Sequence, residues 1–296
     1  MRAVGDRVTI LRDGATVHTG ALADLPTDRI IQHMVGRPVV SIYERQPCPP
    51  GEELLRVENL SVKGKLKDVS LSIRAGEIVG LAGLIGAGRT ELCHAIFGVD
   101  ARSAGTISVS GKPAPIRSPQ DAVAAGIALV TEDRQHTGLA LRLPIAVNVT
   151  LANLGAISRS GFLDLVRERQ VTTQYIERLR IRASSGQQPA GRLSGGNQQK
   201  VVIAKWLFRN TRVFLFDEPT RGIDVGAKVE VFEVMNELAR SGAAILMVSS
   251  EMAELLQVAD RILVMRQGRI TGELPGRTTQ EEIMRYAAVE GEGLSA

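Results

Sequence analysis

The chain is short of cysteine: among its 296 residues only Cys48 and Cys93 occur, in unrelated contexts. This excludes a disulfide-stapled fold, offers no metal-binding spacing, and suits a reducing cytosol. No apolar run reaches the ~18 residues that a membrane-spanning helix needs. The opening MRAVGDRVTI lacks the apolar centre of a secretory signal. The chain is therefore expected neither to span a membrane nor to carry a visible export signal, although it can still dock on a membrane protein. Charge of one sign is also scarce. Lys and Arg number 36 against 32 Asp and Glu, leaving +4 and a pI near 9.3. So small an excess reads as a solvated surface, and nucleic acid is not an expected partner. What remains is 44% hydrophobic and 23% charged, an ordinary globular composition long enough to bury a substantial core.

Two distant stretches resemble each other. GDRVTILRDG (Gly5–Gly14) matches ADRILVMRQG (Ala259–Gly268) in register, pairing Asp6-Arg7 with Asp260-Arg261, Arg12 with Arg266 and Gly14 with Gly268. Val8 and Ile10 fall on Ile262 and Val264. Each copy reads as strand, glycine turn, strand, followed by a short helical pattern, TDRIIQHMVG in one and TQEEIMRYAA in the other. The spacing implies a duplicated domain of about 250 residues, far longer than a solenoid repeat. Residues 1–40 are then expected to be the tail of a first copy whose body is missing, with Met1 a truncation or a misplaced start. Residues 41–53, SIYERQPCPPGEE, are rich in proline and read as a linker, and the second copy begins near Leu54.

Within that copy, GLIGAGRT (Gly83–Thr90) has the spacing of a phosphate-binding loop, with Arg89 where Lys is usual. Its context is right. The apolar GEIVGLAG supplies a strand over Glu77–Ala82, and TELCHAIFG a helix from Thr90 to Gly98. Glycines let backbone N–H groups converge on phosphate oxygens, the helix start adds its positive dipole end, and Thr90 is placed to ligate Mg²⁺. Arg89 keeps the charge but not the point geometry of Lys. RVFLFDE (Arg212–Glu218) reads as a buried parallel strand ending in two carboxylates, at the sheet edge where open α/β folds place their sites. Asp217 is suited to hold Mg²⁺ and Glu218 to polarise an attacking water. LSGGNQQK (Leu193–Lys200) opens a further helix, with Ser194 as its expected N-cap and Gly195 and Gly196 open to an anion.

The order of these motifs, with AAILMVSSEMAELLQVADRILVM at the end, resembles the nucleotide-binding domain of ABC transporters across Leu54–Ala288. More narrowly, GLIGAGRTEL, TEDRQHTGL, LSGGNQQKVVIAKWL and DEPTRGIDVGAK are similar to the second ATP-binding half of tandem subunits in bacterial monosaccharide importers. The resemblance implies an α/β P-loop NTPase domain over 54–290, with an antiparallel β subdomain and a helical subdomain at about 139–192 facing a membrane permease. ATP and Mg²⁺ are the implied cofactors. Gly83, Gly86, Ala87, Gly88, Arg89 and Thr90 would hold the chain's own nucleotide. Leu193, Ser194, Gly195, Gly196, Asn197 and Gln198 would complete the nucleotide site of a second ABC domain in a head-to-tail pair. Asp224 belongs to the loop that crosses that interface. Glu132, in LVTEDRQ, stands where a Gln usually contacts Mg²⁺, and the surrounding TEDRQHTGLALRL is the implied coupling surface. Ser250 stands where a His usually orients the attacking water, a role for which it is shorter and uncharged. No aromatic residue appears in Glu58–Leu71, where one usually stacks on adenine.

The resemblance therefore implies an asymmetric pair. This half binds ATP but turns it over poorly in its own site, while its LSGG loop serves the stronger site. The implied setting is the cytoplasmic face of the bacterial inner membrane, with permease subunits as partners and a periplasmic sugar-binding protein delivering substrate. Two other readings are a truncated domain that binds ATP without turnover and a soluble ABC ATPase. The chain lacks the coiled-coil insertion of a repair enzyme and the basic linker of a translation factor. Trp206 is expected in the core and His136 on the surface.

Overall fold

A computed structural model of the chain describes residues 5–12, 15–25, 29, 30, 33 and 45–288. The first element is a hairpin of β1 (Arg7–Arg12) and β2 (Ala15–Ala21). Val8, Ile10, Leu22 and Ile30 gather there into an apolar cluster separate from the main core. Most of the helical pattern that follows lies outside the described residues. From Arg45 to Pro50 the chain has no regular structure, yet it is not loose. The Arg45 guanidinium donates to both carboxylate oxygens of Asp260 at 3.1 and 2.7 Å, to Asn236 at 2.6 Å and to the Gly76 carbonyl at 3.0 Å. The described part of the proline-rich segment is thus pinned at Arg45.

Strands β3 (Glu53–Val62) and β4 (Leu66–Arg74) follow, one residue earlier than the expected boundary at Leu54. With β6 (Ala104–Val109) and β7 (Lys112–Pro113) they form a four-stranded antiparallel sheet in the order β4-β3-β6-β7. Much of β3 and β4 alternates buried and exposed residues, as a sheet with one face on the core requires. Between β4 and β6 run β5 (Ile78–Gly83) and helix α1 (Arg89–Phe97), which ends on Gly98 in the left-handed conformation. After α2 (Pro119–Ala124) and β8 (Ile127–Val130) comes a single wide helical turn, Arg134–Gly138.

Residues 139–192 contain α3 (Ile145–Thr150), a 3₁₀ turn, a small hairpin of β9 (Ser158–Arg159) and β10 (Phe162–Leu163), and α4 (Leu165–Arg178). Helices and 3₁₀ turns alternate here with irregular chain, and Leu179 and Ile181 are buried; the hairpin was not foreseen. Next come α5 (Gly195–Phe208), β11 (Val213–Asp217), α6 (Val225–Arg240), β12 (Ala244–Val248) and α7 (Met252–Val258). The last described elements are β13 (Arg261–Arg266), β14 (Arg269–Pro275) and α8 (Gln280–Ala288).

A six-stranded sheet in the order β14-β13-β5-β12-β11-β8 carries the core, parallel except for β14 at its edge. Every residue of β11 and β12 is buried. Helices cover both faces of such strands, which is why they read as unbroken apolar runs. Trp206 lies in this core. Its indole N–H donates to the Leu129 carbonyl at 2.9 Å, and its ring meets Phe97 edge-on.

The two hairpins at opposite ends of the chain match in detail. Ile10 pairs with His18, and Val264 with Gly272; each ladder then slips one residue, between Ile10 and Leu11 and between Val264 and Met265. Each hairpin is closed by an equivalent backbone bond, Leu22 N–H to Asp6 at 2.9 Å and Gly276 N–H to Asp260 at 3.0 Å. A bulge at the same register in both copies is a further likeness beyond the matched residues.

Candidate nucleotide-binding site

Strands β5, β11 and β12 lie side by side and parallel, so their carboxyl ends deliver three loops to one place. The first is 84–88, between β5 and α1. Gly88 takes a left-handed φ of 103° at the helix start, where a Cβ would press on Leu66 at 3.1 Å and on the Gly268 backbone at 3.2 Å. The turn of the last hairpin braces this loop, since the Gly268 N–H donates to the Ala87 carbonyl at 2.9 Å. The free N–H groups and positive dipole end of α1 open onto a cleft of about 460 Å³.

Gly86, Ala87, Gly88, Arg89, Thr90, Glu132, Glu218 and Ser250 all line this cleft, together with Ile85, Glu91 and Arg221. Residues separated by more than 150 positions therefore share one wall. None of the lining residues is aromatic, in keeping with the absence of an aromatic residue in Glu58–Leu71. Gly83 ends β5 at the base of the loop. Asp217 lies beneath the cleft, 1% exposed, and accepts from the Thr90 hydroxyl at 3.2 Å. Burial pushes its carboxyl up to about 6. The Cys93 thiol, buried near it, is pushed up by the same cause and by the Asp217 charge.

Arg89 does not extend freely into the cleft. One guanidinium nitrogen donates to the Ser249 carbonyl at 2.7 Å, and the other lies 3.9 Å from the Glu218 carboxylate. Both side chains are largely buried, at 10% and 12% exposure. Ser250 donates its hydroxyl to the other Glu218 oxygen at 3.1 Å. The two departures from the family pattern, Arg89 and Ser250, thus converge on Glu218. Glu218 itself adopts φ 47°, a left-handed conformation that costs a non-glycine residue ~1 kcal/mol or more.

Glu132 is also occupied, because its carboxylate forms an ion pair with Arg221. The turn that carries Ser249 and Ser250 is held from below by Glu254, 5% exposed. Its carboxylate accepts from the Ser249 hydroxyl at 2.8 Å, from the Thr220 hydroxyl at 2.9 and 2.7 Å, and from the Lys228 ammonium at 2.8 Å.

The six residues Leu193, Ser194, Gly195, Gly196, Asn197 and Gln198 form the start of α5 and do not line the cleft. Ser194 occupies the N-cap position but makes no capping bond; its hydroxyl instead accepts from the Asn197 amide at 2.8 Å. The expected cap is thus positional only. Ser194 is exposed, and Leu193, Gly196 and Gln198 are buried. Asp224 also stands off the cleft, as the N-cap of α6, accepting from the Ala227 N–H at 2.9 Å. His136 is exposed, as expected, and pairs with Asp133 at 2.8 Å. That pairing and neighbouring backbone N–H bonds hold the Asp133 carboxyl below its ordinary range.

Sequence reasoning missed four residues of this region: Arg134, Arg221, Ser249 and Glu254. All four lie inside the quoted motifs, but nothing local marks what they touch. For a metal, the protein offers the Thr90 hydroxyl and the buried Asp217 carboxylate, two hard oxygen donors. This set fits Mg²⁺, which typically takes few protein ligands and keeps water and phosphate oxygens. Among the described residues no cluster of three or more His, Cys, Asp or Glu offers a dedicated metal cage.

Comparison with known proteins bears on the family and the fold. Residues 66–221 match the ABC transporter family model. The chain is 50% identical over 294 residues to a putative ribose/galactose/methyl galactoside import ATP-binding protein of Agrobacterium fabrum, covering 98% of this chain and 58% of that protein. It is 47% identical over 286 residues to the ribose import ATP-binding protein RbsA of Bacillus subtilis, covering 96% and 58%. The chain thus spans somewhat more than half the length of the curated relatives it matches. Among solved structures, the ADP conformation of MJ1267, an ATP-binding cassette of an ABC transporter, superposes with a TM-score of 0.64 at 24% identity, over 79% of this chain and 94% of that one. The dimeric cassette MJ0796 bound to ADP and Pi gives 0.64 at 20% identity, over 76% and 100%. On its motifs, its sheet order and its matching residues, the chain belongs to the ABC transporter family.

Proposed function

We propose that this chain is the second ATP-binding cassette of a monosaccharide importer, one that binds ATP in its own cleft but turns it over slowly. The observation that carries the second half of this reading is the engagement of Arg89 with Ser249 and Glu218. A lysine at this position would present a compact charge to phosphates, whereas the planar guanidinium is tied to the floor of the cleft. Glu218, the group suited to polarise water, is held by Arg89 on one side and Ser250 on the other. Neither residue is a base that could orient that water in place of the usual histidine.

Gly86, Ala87 and Gly88, with the N-terminus of α1, bind the phosphates. Thr90 and Asp217 would hold Mg²⁺, which would neutralise phosphate charge. Glu132, paired with Arg221, would be free to join the metal only if that ion pair opened. Ser194, exposed, and Gly195, partly exposed, at the start of α5, with the buried Gly196 behind them, complete the site of a partner cassette, and Asp224 sets the loop between them. Residues 1–40 are the tail of that preceding cassette and 41–53 the linker; 54–290 are this cassette, with its helical part at about 139–192. The relatives' names supply the sugar class. ATP binding closes the pair, permease subunits at the inner membrane receive the motion, and a periplasmic binding protein delivers the sugar. No helix among the described residues is long and apolar enough to cross a membrane. A peripheral place on the cytoplasmic face is the corresponding proposal.

Titration of the chain with a fluorescent ATP analogue, alongside its steady-state ATPase, tests this reading. Saturable Mg²⁺-dependent binding with little turnover is expected. Failure to bind nucleotide, or fast turnover by this chain alone, would overturn it.

A further inference from the structure

We propose that Arg134 is a positioning residue that links this chain's own nucleotide cleft to the loop it offers a partner cassette. The inference rests on the reading of Ser194–Gly196 given above and goes beyond it by naming the connection.

Arg134 begins the wide helical turn after β8, two residues past Glu132. Its guanidinium donates to the Arg221 carbonyl at 2.7 Å and to the Gly222 carbonyl at 3.2 Å. Glu132 meanwhile pairs with the Arg221 side chain on the cleft wall. One loop therefore grips Arg221 twice, through its side chain from within the cleft and through its backbone from behind. The same guanidinium packs on Gly195, where an added Cβ would lie 2.6 Å from it and 3.0 Å from the Gly222 carbonyl. The fork thus fills the notch between Gly222 and Gly195, reaching both the loop that ends at Asp224 and the start of α5.

The arrangement has a cost. The Arg134 Nε–H is buried with no partner, and the cation faces carbonyls rather than a bound carboxylate, since Asp133 is taken by His136. Such an unpaired buried donor is unfavourable, and burial pulls the guanidinium below its ordinary value. Two neighbouring carbonyls suit the two-pronged arginine; a lysine ammonium is a single point on a flexible stem. Phosphate or metal entering the cleft competes for Glu132 and Arg221, and any shift of Arg221 is passed through the Arg134 fork to Gly195.

Hydrogen exchange of the full chain with and without Mg-ATP tests this, using Arg134→Gln and Arg134→Lys. In the wild type, ATP should slow exchange over residues 83–90 and change it at least threefold over 193–198. Both variants should keep ATP affinity within about twofold and keep the protection over 83–90, yet lose the response over 193–198, with lysine giving no rescue. If Arg134→Gln fails to fold, Arg134→Lys carries the test. A response over 193–198 that survives in the variants, or that is missing from a wild type whose loop is protected, overturns the inference. So does faster exchange throughout β11 and α5 before ATP is added, the mark of a merely structural role. A wild type that shows no protection over 83–90 instead defeats the nucleotide-binding reading and takes the inference with it.

Discussion

Arg89 and Glu218 stand 3.9 Å apart on the floor of the cleft, and Arg89 is held there by a 2.7 Å bond to the Ser249 carbonyl. The residue that replaces the usual lysine is therefore not a free cation awaiting phosphate. Replacing it by lysine removes the fork that reaches two partners at once. Arg89→Lys should tighten ATP binding by roughly tenfold, equivalent to about 1.4 kcal/mol. Fluorescence titration reads the change; unchanged or weaker binding would mean that Arg89 already serves the phosphates.

Glu254 ties together three segments that carry site residues: the Thr220 loop, the Ser249–Ser250 turn and α6 through Lys228. Removing this buried carboxylate takes the acceptor from the Thr220 and Ser249 hydroxyls at once, while Lys228 keeps its 2.6 Å bond to Glu251. Glu254→Ala should destabilise the fold by about 2 kcal/mol, the cost of two hydroxyls left without their acceptor. Urea denaturation measures this as a lower midpoint at unchanged slope.

Lys205 supplies a pH signature. Burial pushes its ammonium down to about 8 from 10.5, although it donates to the Gly138 carbonyl at 2.8 Å and lies 4.8 Å above the Trp206 ring. Between those two values the unfolded chain holds more protons than the folded one, so stability rises with pH across the window. Below pH 8 the folded state bears the whole penalty, about 3 kcal/mol. Lys205→Met removes the penalty and loses one hydrogen bond worth ~1 kcal/mol. The variant should be more stable than the wild type at pH 7, with the advantage fading as pH approaches 10. Paired thermal melts at the two pH values check the sign.

Much of this was legible in the sequence because the informative features are local. An apolar run such as VFLF, ended by two carboxylates, reads as a buried strand, and the expected phosphate-loop strand and helix fall within a residue or two of those observed. The likeness of Gly5–Gly14 to Ala259–Gly268 foreshadowed two hairpins whose bulges coincide. The illegible part is long-range. Nothing near Arg89 announces that its partners lie 129 and 160 positions away at Glu218 and Ser249. Arg45 sits in a segment whose prolines suggest only a linker, and its anchor at Asp260 exists only once β13 has docked on β5. Ser194 shows the converse, a residue whose type predicts a cap and whose hydroxyl is claimed by a neighbour.

The most direct test of the asymmetric site is to pair this cassette with its partner cassette and measure ATPase for two sets of substitutions. Arg89→Ala strikes this chain's own cleft; Ser194→Ala with Gly195→Ala strikes the loop proposed to serve a partner cassette. The loop variant should lose at least roughly tenfold in turnover, corresponding to about 1.4 kcal/mol in the barrier, while Arg89→Ala loses about twofold or less. Equal losses in the two would contradict a cleft that binds ATP while the chain's main catalytic contribution is made at its partner's site.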